Sequence, residues 1–364
     1  MKVIACGAPY GSGGLGRHLT QVIEEARAAG ELARYYATSA PPDDDEGSEI
    51  DMRRLLSTIQ RTPLRYDAGW RNYALAAAFD WSVSSRLVQL PSPQWKGEPK
   101  TFVGFAGQAL QSFKRARSMG YHTLQLEAAN SHIDNVLRQH ARAARLCGVA
   151  ERSWLNAAQA ARVRREYAKA DVIYAASEYT AQTLIDGGVP AHKLARRRLM
   201  PDARFAPPSR RVDDGVFRIV YVGSISAMKG IPILIDAFGK LDFGHWRHAE
   251  LTLVGGWASR AMRVYMESKM AADPRIKVMP GDPLPHLQRA NVYVHPTFED
   301  GFAYAPMEAL ACGLPVIVTE DTGMKEHVRE GVNGYIVPTG DRDALVDRLV
   351  HVESRSSRAV AVGS

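Results

Sequence analysis

Short apolar runs rich in β-branched residues recur along this chain. Between them lie turns and stretches with apolar residues at helical spacing. Alternating strand and helix signals of this kind predict parallel sheets, because parallel neighbours need a crossover connection and the crossover helices cover both faces. The runs are residues 1–6, FVGF (102–105), TLQLEAA (123–129), DVIYAAS (171–177), VFRIVYVG (216–223), ELTLVGG (250–256), RIKVMPG (275–281), ANVYVHP (290–296), LPVIVTE (314–320) and NGYIVP (333–338). The stretch 133–170 reads as mostly helical, and PPDDDEGSE (41–49) as an acidic surface loop. The clearest boundary is Phe205-Ala206-Pro207-Pro208, after which a charged turn opens a second strand–helix series. The expectation is α/β: two Rossmann-like domains, 1–208 and 209–364, facing each other across a cleft. Ligands in such sheets bind outside the carboxyl ends of the strands.

Composition narrows the class. A chain of 364 residues accommodates two domains at roughly 100–200 residues each, and 46% hydrophobic with 23% charged residues excludes whole-chain disorder. Cys6, Cys147 and Cys312 are far apart, which argues against a disulfide scaffold or a cysteine zinc site. No apolar run reaches the roughly 18 residues of a membrane span, and the N-terminal apolar stretch is too short for a signal peptide. The expected location is cytoplasmic. The net charge of +7 is concentrated in residues 101–208, which hold 16 Lys/Arg against 8 Asp/Glu. Such an excess fits either a solvated helical face or a peripheral contact with the inner face of a membrane. Aromatic interleaving of the kind that stacks bases is sparse, so nucleic acid is not an expected partner.

The most informative segment is 290–338, ANVYVHPTFEDGFAYAPMEALACGLPVIVTEDTGMKEHVREGVNGYIVP. A strand ends at Pro296-Thr297, and the turn Glu299-Asp300-Gly301 leads into a helix. Gly301 lets the backbone approach a ligand closely. Phe302 to Pro306 begin a helix whose free N–H groups suit a phosphate. Glu308, about two turns on, can accept hydrogen bonds from the vicinal hydroxyls of a ribose.

This segment resembles family 4 of the retaining glycosyltransferases, which have the GT-B fold. Asp300-Gly301-Phe302, Glu308 eight residues after the acid, Ala309 to Ile317 and Gly331-x-Asn333-Gly334 carry the resemblance. It implies a nucleotide-diphosphate sugar donor, a glycosyltransferase that retains anomeric configuration, no cofactor and no bound metal. The acceptor is a sugar, a lipid-linked sugar or a small molecule, and the setting is polysaccharide or glycolipid biosynthesis. The resemblance makes residues 1–208 the acceptor side and 209–364 the donor side. It assigns Asp300, His132 and Lys229 as candidate catalytic residues. Donor contacts fall to Gly13, Gly14, Gly223, Ser224, Lys229, Glu299, Asp300, Gly301, Phe302, Ala303, Tyr304 and Glu308. Whether Asp300 or Glu299 reaches the sugar stays open, because aspartate is shorter than the usual glutamate.

The chain also departs from the family. In VGSISAMKG (222–230), Lys229 matches the family lysine, but Ser224 stands where an arginine normally clamps the diphosphate. The strand VGFAGQ (103–108) lacks a histidine many members carry, and His132 in LEAANSHIDN (126–135) is the nearest substitute. After Asp347 the tail is shorter than usual. The D-x-D patterns at Asp43-Asp44-Asp45 and Asp341-Arg342-Asp343 lie in polar turns, where a metal role is not expected. Three other readings remain: a catalytically weak or inactive sugar-nucleotide-binding homologue, an NAD-dependent oxidoreductase using Gly11, Gly13 and Gly16 as its fingerprint, and a sugar-nucleotide epimerase of the same fold, which needs no acceptor. The oxidoreductase reading lacks an acid at the end of the second strand, ELARYYATSA (31–40).

Overall fold

The computed structural model describes residues 1–87, 97–212, 214–241 and 248–363. They form two compact units, one of residues 1–137 and 152–199, the other of residues 138–151 and 200–364.

The first unit is built on strands β1 (Lys2–Ala5), β2 (Leu32–Ala37), β3 (Gly47–Glu49), β4 (Thr101–Phe105), β5 (Thr123–Ala128), β6 (Val172–Ala175) and β7 (Leu194–Arg196). Their order in space is β3-β2-β1-β4-β5-β6-β7, and every recorded pairing is parallel. The helices in the chain up to β7 are α1 (Gly13–Ala28), α2 (Arg53–Gln60), α3 (Ala68–Arg86), α4 (Leu110–Ser118), α5 (Ile133–Cys147), α6 (Ala157–Lys169) and α7 (Glu178–Asp186). Leu19, Val22, Ile23 and Ala26, three and four residues apart, turn one face of α1 into a core with Ile4, Tyr35, Val103 and Phe105. Strand order reverses between β1 and β4, so the loops after these two strands border the switch point.

The loop after β4 is fixed by buried charge. Glu166 on α6 accepts hydrogen bonds from the N–H groups of Gly107 and Ala109, and Arg162 Nε donates to the Gly107 carbonyl at 3.0 Å. Arg162 also pairs with buried Asp80, which receives N–H bonds from Gln111 and Ser112 at the start of α4. Removing any one member would leave a neighbouring charge buried and uncompensated.

The second unit repeats the plan with β8 (Val216–Val222), β9 (His248–Val254), β10 (Ile276–Met279), β11 (Val292–His295), β12 (Val316–Thr319) and β13 (Gly334–Val337), in the order β10-β9-β8-β11-β12-β13. Helices α8 (Ile231–Phe238), α9 (Arg260–Ala272), α10 (Leu284–Arg289), α11 (Tyr304–Ala311) and α12 (Arg342–Gly363) connect or follow these strands. Its switch point lies between β8 and β11. The two loops there touch backbone to backbone. Gly230, at φ +68°, begins α8, and a β-carbon on it would sit 1.8 Å from the Pro296 carbonyl oxygen. One layer over, a β-carbon on Gly255 would sit 1.9 Å from the Gly223 oxygen.

The ten expected strands are present. Sequence periodicity missed others. Strand β3 falls inside the stretch read as an acidic loop, and β7 is only three residues long. Residues 133–170 are two helices, α5 and α6, separated by a segment that includes Gly148 at φ +63° and the Asn156 cap, whose side chain accepts from Gln159 N at 2.8 Å.

Two outcomes test this account. Gly230→Ala should lower stability by on the order of 2–4 kcal/mol, through positive φ plus a backbone clash. Gly120→Ala, at φ +77° in open space, should cost only about 1–2 kcal/mol; equal losses in thermal denaturation would refute the packing argument. Burial raises Glu166 to about 7, with the Ala109 and Gly107 N–H groups and Arg162 opposing. The raised value means the carboxyl favours folding below its ordinary 4.5 and loses that contribution as pH rises through about 7. Glu166→Gln should therefore lower the melting temperature overall but flatten its decline between pH 5 and 8.

Candidate functional site

The end of β11 and the loop after β8 bring three ionisable side chains together in the second unit. Lys229 Nζ lies 2.5 Å from Asp300 Oδ2, and His295 Nε2 lies 3.3 Å from the same oxygen. The lysine reaches this point because Gly230 beside it allows the loop to press on Pro296. Burial would raise the Asp300 carboxyl, but the Lys229 charge and His295 hold it well below the usual carboxylate range. Burial pushes His295 below its ordinary value, against the pull of Asp300. The imidazole stacks between Tyr221 and Tyr293, each 6.2 Å away.

A set of hydroxyl and backbone bonds shapes the turn that carries Asp300. Thr297 Oγ1 donates to the Glu299 carbonyl at 2.8 Å, and Thr319 Oγ1 on β12 donates to the Thr297 carbonyl at 2.6 Å. Asp300 N–H donates to Asp321, and Gly323 N–H donates back to Asp300, as in a short parallel bridge. Helix α11 then starts behind Ala303, which has φ 62° and ψ 106°. Ala303 is the one non-glycine among the described residues with positive φ. Strain of this kind costs about 1–3 kcal/mol and persists where the surroundings over-determine it. Ala303 lies at the N-cap of α11, which has no side-chain cap hydrogen bond. Gly301, Phe302 and Tyr304 are buried around this entry, and Phe302 meets Tyr304 edge to face at 5.5 Å. Glu308 is 1% exposed and Glu299 is 4% exposed, so neither is a solvated surface acid.

Gly223, at φ 144°, donates its N–H to Val254 and sits on β8's exit with exposed Ser224 next to it. The Ser224 carbonyl accepts from Tyr221 Oη at 2.9 Å. Thus Lys229, Asp300, Gly301 to Tyr304, Glu308, Gly223 and Ser224 all occupy the carboxyl-end loops and following helix of β8 and β11. Chemically, a cation beside an uncapped helix start can receive an anion, and the adjacent carboxylate can accept hydrogen bonds from hydroxyls.

The first-unit candidates stand apart from one another. Gly13 and Gly14 are exposed at the start of α1, with open space where a β-carbon would go. Gly16 differs: a β-carbon there would meet the Pro9 oxygen at 2.2 Å, so its glycine serves packing. His132 is 3% exposed, packs on Tyr167 at 5.2 Å and accepts from the Asp134 N–H through Nδ1 at 3.2 Å. Its ring thus lies in the interior at the start of α5.

Spacing marked the strand end at Pro296-Thr297 but did not flag His295, in a run that read only as apolar. Arg204, in the segment before β8, donates to Asp282 at 2.9 Å. It supplies an arginine in a unit whose loop carries Ser224. Asp44 of the first D-x-D pattern is occupied by Tyr35 Oη and Arg27, each at 2.8 Å, and Asp343 of the second by Lys240 at 2.9 Å. The basic excess of 101–208 is partly internal: Arg117, Arg162, Arg164, Arg196 and Arg197 are all in ion pairs. Among the described residues no helix is long and apolar enough to cross a membrane.

Residues 216–354 match the family model described as "Glycosyl transferases group 1". The putative colanic acid biosynthesis glycosyltransferase WcaL of Escherichia coli (strain K12) is 29% identical over 196 residues, 50% of this chain and 48% of that protein. The chain thus spans about half the length of this curated relative. Among solved structures, a sucrose-phosphate synthase from Thermosynechococcus elongatus aligns with a TM-score of 0.70 at 18% identity, covering 97% of this chain and 89% of that one. Anabaena Alr3699/HepE in complex with UDP aligns with a TM-score of 0.64 at 15% identity, covering 98% and 91%. At these identities the structures establish the fold. With its two parallel Rossmann-like sheets the chain has the GT-B fold, and its segment 216–354 is similar to the group 1 glycosyl transferases.

Proposed function

We propose that the protein transfers a glycosyl unit, with retention of configuration, from a nucleoside diphosphate sugar to a hydroxyl acceptor. The observation that carries this reading is the convergence of Lys229, Asp300 and the strained entry to α11 at the switch point of the second sheet. Lys229 and the α11 N–H groups stabilise the diphosphate as negative charge develops on the departing oxygen. Glu308 accepts hydrogen bonds from the ribose, and Asp300 holds the sugar hydroxyls. In the free protein Lys229 is neutralised by Asp300, so donor binding exchanges this ion pair for a lysine–phosphate and a carboxylate–hydroxyl contact. Lysine and backbone donors meet the diphosphate charge, and the reaction requires no metal. The likeness to a structure solved with UDP supports a uridine donor as the first to try.

The test separates binding from turnover. Wild type should be stabilised by one of UDP, GDP, ADP or dTDP and not by NAD, with EDTA leaving transfer unchanged. Lys229→Ala removes a charge-assisted contact worth about 1.5–3 kcal/mol, so nucleotide affinity should fall roughly 10- to 150-fold. Glu308→Ala should lose the nucleotide-induced thermal shift while keeping its circular dichroism spectrum. Asp300→Ala should still bind nucleotide but lose turnover. Nucleotide binding by wild type without transfer to any acceptor would favour the inactive-homologue reading, for which exposed Ser224 in place of an arginine is the supporting observation. A shift with NAD alone would overturn both.

Ala303 gives a test of the geometry that is independent of ligand. Ala303→Gly relieves strain of about 1–3 kcal/mol and adds about 0.5–1 kcal/mol of chain entropy cost. The variant should be as stable as wild type or more stable, whereas Ala309→Gly in the buried middle of α11 should be clearly destabilised.

A further inference from the structure

Strand β8 ends at Val222 and α8 begins at Ile231, so Gly223 to Gly230 form the loop that carries Lys229. Glycine contacts fix its two ends: a β-carbon on Gly255 would strike the Gly223 oxygen, and one on Gly230 the Pro296 oxygen. The middle of the loop, Ile225 to Met228, is buried. Backbone N–H and C=O groups buried in a loop need partners from elsewhere in the protein, or the loop takes another course.

Part of that support comes from a distant stretch of chain. The second unit includes residues 138–151, which follow β5 and precede β6. Ala227 N–H donates to Glu151 Oε2 at 2.5 Å, across 76 residues of sequence. The Ala227 carbonyl accepts from Cys147 Sγ at 3.5 Å and from Gly230 N–H at 2.9 Å. Both backbone groups of one residue are thus held, and the N–H by a carboxylate, whose hydrogen bonds are among the stronger kind. Two residues on, Lys229 N–H donates to Ser226 Oγ at 3.1 Å, and the Met228 carbonyl accepts from Phe298 N–H at 2.8 Å. The Lys229 side chain therefore leaves a backbone whose course Glu151 helps to set. The same stretch braces the turn that carries Asp300. Arg142 Nη2 donates to the Thr339 carbonyl at 2.6 Å, and its Nη1 lies 3.5 Å from the carboxylate of Asp321. The Asp321 carbonyl in turn accepts the Asp300 N–H at 3.2 Å.

We propose that Glu151 is a positioning residue for Lys229, fixing the loop so that the ammonium meets the diphosphate of the donor. The role rests on the transferase reading, but one arm of its test needs no ligand. Hydrogen–deuterium exchange over residues 223–230 would be recorded for wild type, Glu151→Ala, Glu151→Asp and Glu151→Gln. Gly120→Ala, which alters stability in the other unit, is the control. Affinities would be measured for UDP, GDP, ADP and dTDP, and for the matching nucleosides, which have no phosphate for Lys229 to meet. Glutamine keeps an acceptor at the same reach, whereas aspartate keeps the charge but draws the acceptor back. Exchange should quicken in Glu151→Ala and Glu151→Asp and stay near wild type in Glu151→Gln and Gly120→Ala. Diphosphate affinity should fall about tenfold in the first two, with nucleoside affinity unchanged. Unchanged exchange in both, or quicker exchange with unchanged diphosphate affinity, would overturn the proposal. Equal losses for diphosphate and nucleoside would do the same, since they would report general damage to the unit. So would aspartate tolerated and glutamine not, because charge rather than the hydrogen bond would then decide. If wild type binds no nucleoside diphosphate, the transferase reading falls and this role of Glu151 with it; if wild type binds one and the variants bind it equally well, only the positioning role falls.

Discussion

The Pro296 carbonyl oxygen occupies the space that any side chain at position 230 would need. The second unit depends on this contact. It lets the loop after β8 lie directly on the loop after β11, and it sets Lys229 against Asp300. Glycine at 230 is required twice, by its φ of +68° and by the missing β-carbon. The Gly223–Gly255 contact brings the loops after β8 and β9 together in the same way. Parallel sheets concentrate strand-end loops on one edge, and close backbone approach converts that edge into a surface with fixed donors and charges.

The two units manage charge differently. In the first, ion pairs are structural: Asp80, Arg162 and Glu166 hold the loop after β4, and Glu127 is ringed by Arg197, Gln125 and His18. Each of these charges faces a partner of opposite sign or a hydrogen-bond donor within the unit. In the second, the Lys229–Asp300 pair lies at a partly exposed loop edge, with side chains 25% and 18% accessible, where a ligand can compete for each partner. The strained Ala303 adds a local cost at the start of α11, which has no side-chain cap.

Much of this was legible in the sequence. Alternating strand and helix periodicity gave the parallel sheets, and Asp300-Gly301-Phe302 with Glu308 marked the turn and helix of the second-unit site. The same patterns could not show that His132 points into the interior, because a histidine at a helix start reads alike whether it caps or faces a ligand. Nor could they pair Arg204 with Asp282, 78 residues on, which it meets only through folding. The basic surplus of 101–208 looked like a free patch because opposite charges such as Asp80 and Asp134 are distant in sequence or on another helix.

By itself the sequence determined the strand order of events: which runs become strands, which turns need glycine, and which residues follow each strand end. These are local matters, governed by side-chain period and backbone freedom. Tertiary structure alone decided which charges are neutralised, that Glu127 is ringed by Arg197, Gln125 and His18, and that Glu151 meets the backbone of the loop carrying Lys229. Those properties depend on distances between residues remote in the chain and on the removal of water from around them, and neither quantity is written in any one segment.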